Sequence, residues 1–162
     1  MIDFPTIIKE LELNESLAIK YITPIPPEFM AQQPPNLPNH PAWILGHLTI
    51  SNNTAVQLIT GVSIRPESER DLFAIGSTPQ PAPSIYPDKQ TLVDNYVEMH
   101  EHLVAAFNKV THDMLAAPPA IERLQKNFPT LGLFLLHVST AHEAYHIGQL
   151  ACWRQATGLA GT

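Results

Sequence analysis

Proline sets the outline of this chain. Of its 16 prolines, most fall between Thr23 and Pro41 or between Pro66 and Pro87. The proline ring fixes φ, removes a backbone donor and breaks helix interiors, so its clusters mark connections and its absence marks regular elements. Asp3 to Ile22 reads as the first helix, with Pro5 in its first turn and Ile7, Ile8, Leu11, Ser16, Ala18, Ile19 and Ile22 at helical spacing. Asn39-His40-Pro41 opens the second, with Asn39 or His40 as cap, and Gly61 closes it after Thr60. The third runs from an Asp88 cap to Lys109, with Val93, Tyr96, Val97, His100, Leu103, Val104 and Phe107 on one face. The fourth reads as one continuous helix from Thr130 to Thr157, ended by Gly158. No segment alternates in the manner of a strand. The expectation is an all-α fold, a four-helix bundle in one domain spanning 1–162, with long proline-rich links that cross the bundle.

Polar residues stand where those helices should be apolar. On the last helix, taking His142 as zero at about 100° per residue, Leu131, Leu135, Val138, Ser139, His146, Gln149, Leu150 and Trp153 fall within about 80° of it. His142 and His146 are i and i+4, the spacing at which one helix presents two imidazoles to one metal ion. On the second helix, His47 lies in a stripe with Trp43, Ile44, Ser51, Thr54 and Leu58, beside Gly46, a small residue expected to allow close helix packing. His47 is the candidate third ligand. His100 is central in the third helix's stripe and is a candidate to approach the metal or to line a pocket. His102, His112 and His137 fall on polar sides and are expected to be exposed. The 62–87 connection is long for a compact domain; Leu72, Phe73 and Ile75 suggest that part of it packs down over the mouth of a site, and a plain crossover between distant helix ends is the equal alternative.

Composition narrows the function classes. A net charge of −6 with only 9 Lys and Arg and no basic run argues against nucleic acid. No apolar run is long enough to span a membrane, and the start lacks a secretory core. One cysteine, Cys152, excludes an internal disulfide and fits a reducing compartment. The expected setting is the cytoplasm. Ile7, Ile8 and Ile19 are candidates for an outer apolar face through which two copies pair.

Three imidazoles on facing helices suit Zn, Ni, Cu or Fe and leave coordination positions for water or substrate. That is the pattern of a catalytic metal, able to activate water or a thiol. The run His142-Glu-Ala-Tyr-His146 also spells the zinc-peptidase motif with Glu143 as base, but no His, Glu or Asp follows it as a third ligand. A carboxylate di-iron bundle needs two Glu-x-x-His motifs, and only Glu143-x-x-His146 is present. A bundle that binds metal or ligand without turnover is the alternative. Glu143 and Gln149, with His100, complete the pocket candidates.

The residues also carry a family resemblance. Asn39-His-Pro-Ala-Trp-Ile-Leu-Gly-His47-Leu resembles the Trp-x-x-x-His pattern of DinB-like proteins. Phe128-Pro-Thr-Leu-Gly followed by His142-Glu-Ala-Tyr-His146-Ile-Gly-Gln149 is similar to that family's last helix, and Phe73-Ala-Ile-Gly-Ser-Thr-Pro with Tyr86-Pro to a connection in one of its branches. The likeness covers nearly the whole chain in order and spacing. It implies a four-helix bundle with a nickel or zinc site at His47, His142 and His146, frequent homodimers, and a small-molecule substrate. In some relatives it implies transferase or isomerase chemistry with a low-molecular-weight thiol.

Overall fold

Helix caps fall where the sequence places capping side chains. In the computed structural model, which describes residues 4–159, the helices are α1 (Phe4–Ile22), α2 (Pro41–Thr60), α3 (Ser68–Phe73), α4 (Lys89–Phe107), α5 (His112–Ala116), α6 (Glu122–Gln125), α7 (Leu131–Ser139) and α8 (Ala141–Ala156). The expected start of the first helix, Asp3, lies outside the described residues. His40 caps α2, its Nδ1 accepting from the Trp43 amide at 3.2 Å. Asp88 and Thr130 cap α4 and α7 in the same way. Gly61, at φ 78°, ends α2 in the left-handed conformation that glycine adopts without strain. No strand occurs among the described residues. The fold is all-α: α2 packs most extensively on α4 and α1 on α8, while α1 on α4 and α2 on α7 and α8 close the bundle.

The last helix is not continuous. Thr140, at φ −130° and ψ −87°, leaves helical geometry and separates α7 from α8. Its hydroxyl bonds back to the Leu136 carbonyl at 2.6 Å, a local bond that competes with the helical ladder. The phase of a single wheel therefore does not carry across position 140. Glu143 turns inward and is fully buried, whereas His142 is half-buried.

The core divides into two apolar clusters with a polar layer between them. One cluster gathers Ile22, Ile44, Leu48, Tyr96, Leu150 and Trp153, and the other Leu11, Val56, Met99, Leu103, Phe134 and Leu135. Asn14 of α1, Asn52 of α2, His100 of α4, Ser139 of α7 and Glu143 of α8 are all buried at the levels between. Ile7, Ile8 and Ile19 pack partly buried against these clusters and do not form the free outer face expected of them; Leu13 and Leu17 of α1 are the exposed apolar residues there.

The long connection after α2 folds onto it. Phe73 is buried, and a Cβ at Gly46 would run into its ring. Gly46 thus lets α2 pack closely on α3, the short helix within the connection, through the Phe73 ring. Ile75, two residues on, is 82% exposed at the rim of the site.

Candidate metal centre

His47 comes from the middle of α2, and His142 and His146 from successive turns of α8. One ring nitrogen from each lies within 4.8 Å of the others. The Nε2 atoms of His47 and His142 are 3.1 Å apart. An ion about 2.1 Å from each imidazole nitrogen places neighbouring ligand nitrogens roughly 3.0–3.4 Å apart, so this spacing fits.

The surroundings fix two of the rings, His47 and His146, through their Nδ1 atoms. His47 Nδ1–H donates to the Phe73 carbonyl at 2.7 Å, and the Trp43 ring stacks on the imidazole at 4.5 Å between centroids. The Trp43 indole in turn donates to Ser77 Oγ at 2.9 Å, tying the ring to the connection. His146 Nδ1–H donates to Gln149 Oε1 at 3.0 Å, and Asn39 Nδ2 donates to the same oxygen at 2.8 Å. These bonds assign the proton to Nδ1 and leave Nε2 of His47 and His146 as lone-pair donors. His142 Nδ1 is buried without a hydrogen-bond partner.

Burial also keeps the three rings neutral. It lowers His47, although the Phe73 carbonyl pulls the other way. His142 falls to about 3 through burial first, then through the charges of His146, His47 and His137. His146 falls to about 4 through burial and His47, with the Gln149 bond opposing. Uncharged imidazole is the ligand form.

Two cavities meet at these rings. One, of about 320 Å³, runs between α2, α3, α6 and α7 and is walled by Leu124, Phe128, Phe134 and Val138. The other is a broader groove of about 600 Å³ over His146, bordered by Trp43, Tyr145 and Gln149. His47, His142, His137 and Ile75 line both. His137, expected to be exposed, is half-buried with its ring 5.9 Å from His142. The break at Thr140 brings it there, since positions five apart do not face each other along an unbroken helix.

His100 and Glu143 lie elsewhere. His100 Nε2 stands 3.0 and 3.1 Å from the two Glu143 oxygens, and its Nδ1–H donates to the Tyr96 carbonyl at 3.0 Å. Asn52 Nδ2 donates to Glu143 at 2.8 Å. Burial opposes charge on His100, but the Glu143 carboxylate outweighs it and raises the ring's pKa. The Tyr96 hydroxyl, whose pKa burial and the nearby Glu143 charge raise, has no hydrogen bond of normal geometry. Glu143 lines neither cavity at the three histidines, so it is not placed as a peptidase base.

The all-helical bundle gathers three histidines from two of its helices in a group of the kind that can hold a metal ion. The chain belongs to the DinB superfamily, which it matches over residues 10–150. No curated protein and no solved structure matches it. Among the described residues, no helix is long and apolar enough to cross a membrane.

Proposed function

We propose that the protein is a metal-dependent enzyme acting on a small molecule, with His47, His142 and His146 holding one divalent ion, nickel or zinc. The observation that carries this reading is the convergence of three neutral imidazoles at the junction of two cavities. An ion bound there supplies a Lewis acid that lowers the pKa of a water or thiol beside it. Three protein ligands leave positions free, which suits catalysis better than a structural role.

Two approaches to one site favour transfer between two substrates over hydrolysis. A low-molecular-weight thiol enters along the groove over His146, and an electrophile occupies the apolar cavity. Trp43, stacked on His47, walls the groove, and His137, which lines both cavities, accepts the thiol proton. A sulfur–carbon bond forms as the carbon–leaving-group bond breaks, and the leaving group departs with that proton.

Elemental analysis of the purified protein should find about one divalent ion per chain, and His142→Ala should abolish it. Full occupancy in the variant would overturn the site. Titrating Co(II)-substituted protein with thiols should produce new near-ultraviolet absorption. A response to small anions but to no thiol would favour hydrolysis, and a response to neither would leave a structural metal. A homodimer belongs to the same proposal, with Leu13 and Leu17 as the apolar residues of α1 open to a second copy. Light scattering at tens of micromolar should give twice the chain mass; a single-chain mass would count against it.

A further inference from the structure

The apolar cavity beside the three histidines departs from the charge balance of the rest of the chain. The sequence has 15 acidic residues against 9 basic ones, yet no carboxylate lines this cavity. Two of the chain's four arginines do, Arg70 and Arg123. Arg70 is fixed in place: Nη2 donates to Gln57 Oε1 at 2.9 Å, and Nε pairs with Glu67 at 3.0 Å. Arg123, exposed on α6, has neither an ion-pair nor a hydrogen-bond partner among the described residues. The cavity sits at the small end of ligand sites, which span roughly 300–1,000 Å³, so it suits a small molecule rather than a peptide.

We infer that this cavity takes a small organic carboxylate, with its charged end at Arg123 and Arg70 and its apolar body against Leu124, Phe128, Phe134 and Val138. Its other end then reaches His47 and His142, which line the same space. The physical case is complementarity. A guanidinium gives a carboxylate charge-assisted hydrogen bonds in a planar fork; Glu67 already pairs with Arg70, so the unpaired Arg123 supplies most of the attraction. The four apolar side chains supply burial for the remainder of the molecule. This assignment rests on the enzyme reading of the same site and names its substrate class.

The test is calorimetric titration of the metal-loaded full chain with phenylacetate and with uncharged phenylacetamide. Phenylacetate should bind about tenfold more tightly than the amide, as one charge-assisted contact allows. Arg123→Gln should remove about that advantage without changing amide binding, and Arg123→Lys should restore part of it. Equal binding of acid and amide, or no binding of either at millimolar concentration, would overturn the inference. So would a full preference for phenylacetate over the amide that survives Arg123→Gln, because Arg123 would then not read the charge. Elemental analysis of the same samples separates the two levels. A wild-type chain that retains no ion defeats the enzyme reading, while the arginine dependence, measured on that chain, still decides the carboxylate assignment.

Discussion

His142 has three other imidazoles around it, with ring centroids 4.7 Å away at His146, 5.1 Å at His47 and 5.9 Å at His137. A proton on any one disfavours a proton on the next, and burial disfavours all of them. The apo site therefore meets an ion without first releasing protons. Ligand sites made of ordinary histidines lose affinity below about pH 6.5. Here the loss should come at lower pH than for ordinary histidines, because His142 and His146 fall to about 3 and about 4 and burial lowers His47 as well. The same shifts set the sign for apo stability. The folded rings refuse protons that the unfolded chain binds below about 6.5, so their contribution is whole above that pH and is lost as pH falls toward the folded values. Competition with a chromogenic chelator across pH checks the first part, and denaturant midpoints of the apo chain check the second. An affinity break centred near the ordinary histidine value would contradict both the burial and the crowding.

At the scale of elements, the four helical runs and the two histidine-bearing stretches were legible because proline, caps and apolar spacing act locally. His142 and His146 share a face whether or not a break precedes them, and their nitrogens lie close to that of His47. What lay beyond the sequence depended on contacts distant in the chain. A wheel drawn from Thr130 to Thr157 assumes an unbroken ladder, and Thr140, at φ −130° and ψ −87°, leaves it. With the phase reset, Glu143 enters the core and His137 comes to the site. Gly46 was legible as a small residue but not as the seat of Phe73, which arrives from the following connection. This connection is part of the site, since the Phe73 carbonyl holds His47. Gly46→Ala should push the Phe73 ring aside, release His47 Nδ1 and weaken metal binding by about ten- to a hundredfold, the usual cost of losing a bond that orients a ligand. Phe73→Leu in the Gly46→Ala background should recover part of the affinity by making room. Chelator competition reads both, and an unchanged affinity in Gly46→Ala would mean that the ring and the carbonyl move independently.

At the scale of the whole molecule, the polar layer joins the helices at one level. Glu143 of α8 accepts from Asn52 of α2 and from His100 of α4, and Asn14 of α1 approaches the Thr140 carbonyl at 3.5 Å. Every long helix thus contributes a polar group to a region where apolar packing is interrupted. Such a layer specifies how the helices register against one another, because a slip would bury these groups without partners. It also bears on Glu143, which the sequence motif alone would make a catalytic base. Glu143→Ala leaves His100 in the core without its carboxylate, and Asn52 without its acceptor. Loss of one partner of a buried pair costs about 3–5 kcal/mol, so the variant should unfold at markedly lower denaturant. Replacing Glu143, His100 and Asn52 together with leucine should recover much of that loss, since it removes the polar partners that Glu143→Ala strands. A base at the metal would behave otherwise: its removal would spare stability and abolish turnover. Denaturant unfolding of the single and triple variants decides between them, because a Glu143→Ala chain as stable as the wild type cannot have its carboxylate closing this layer.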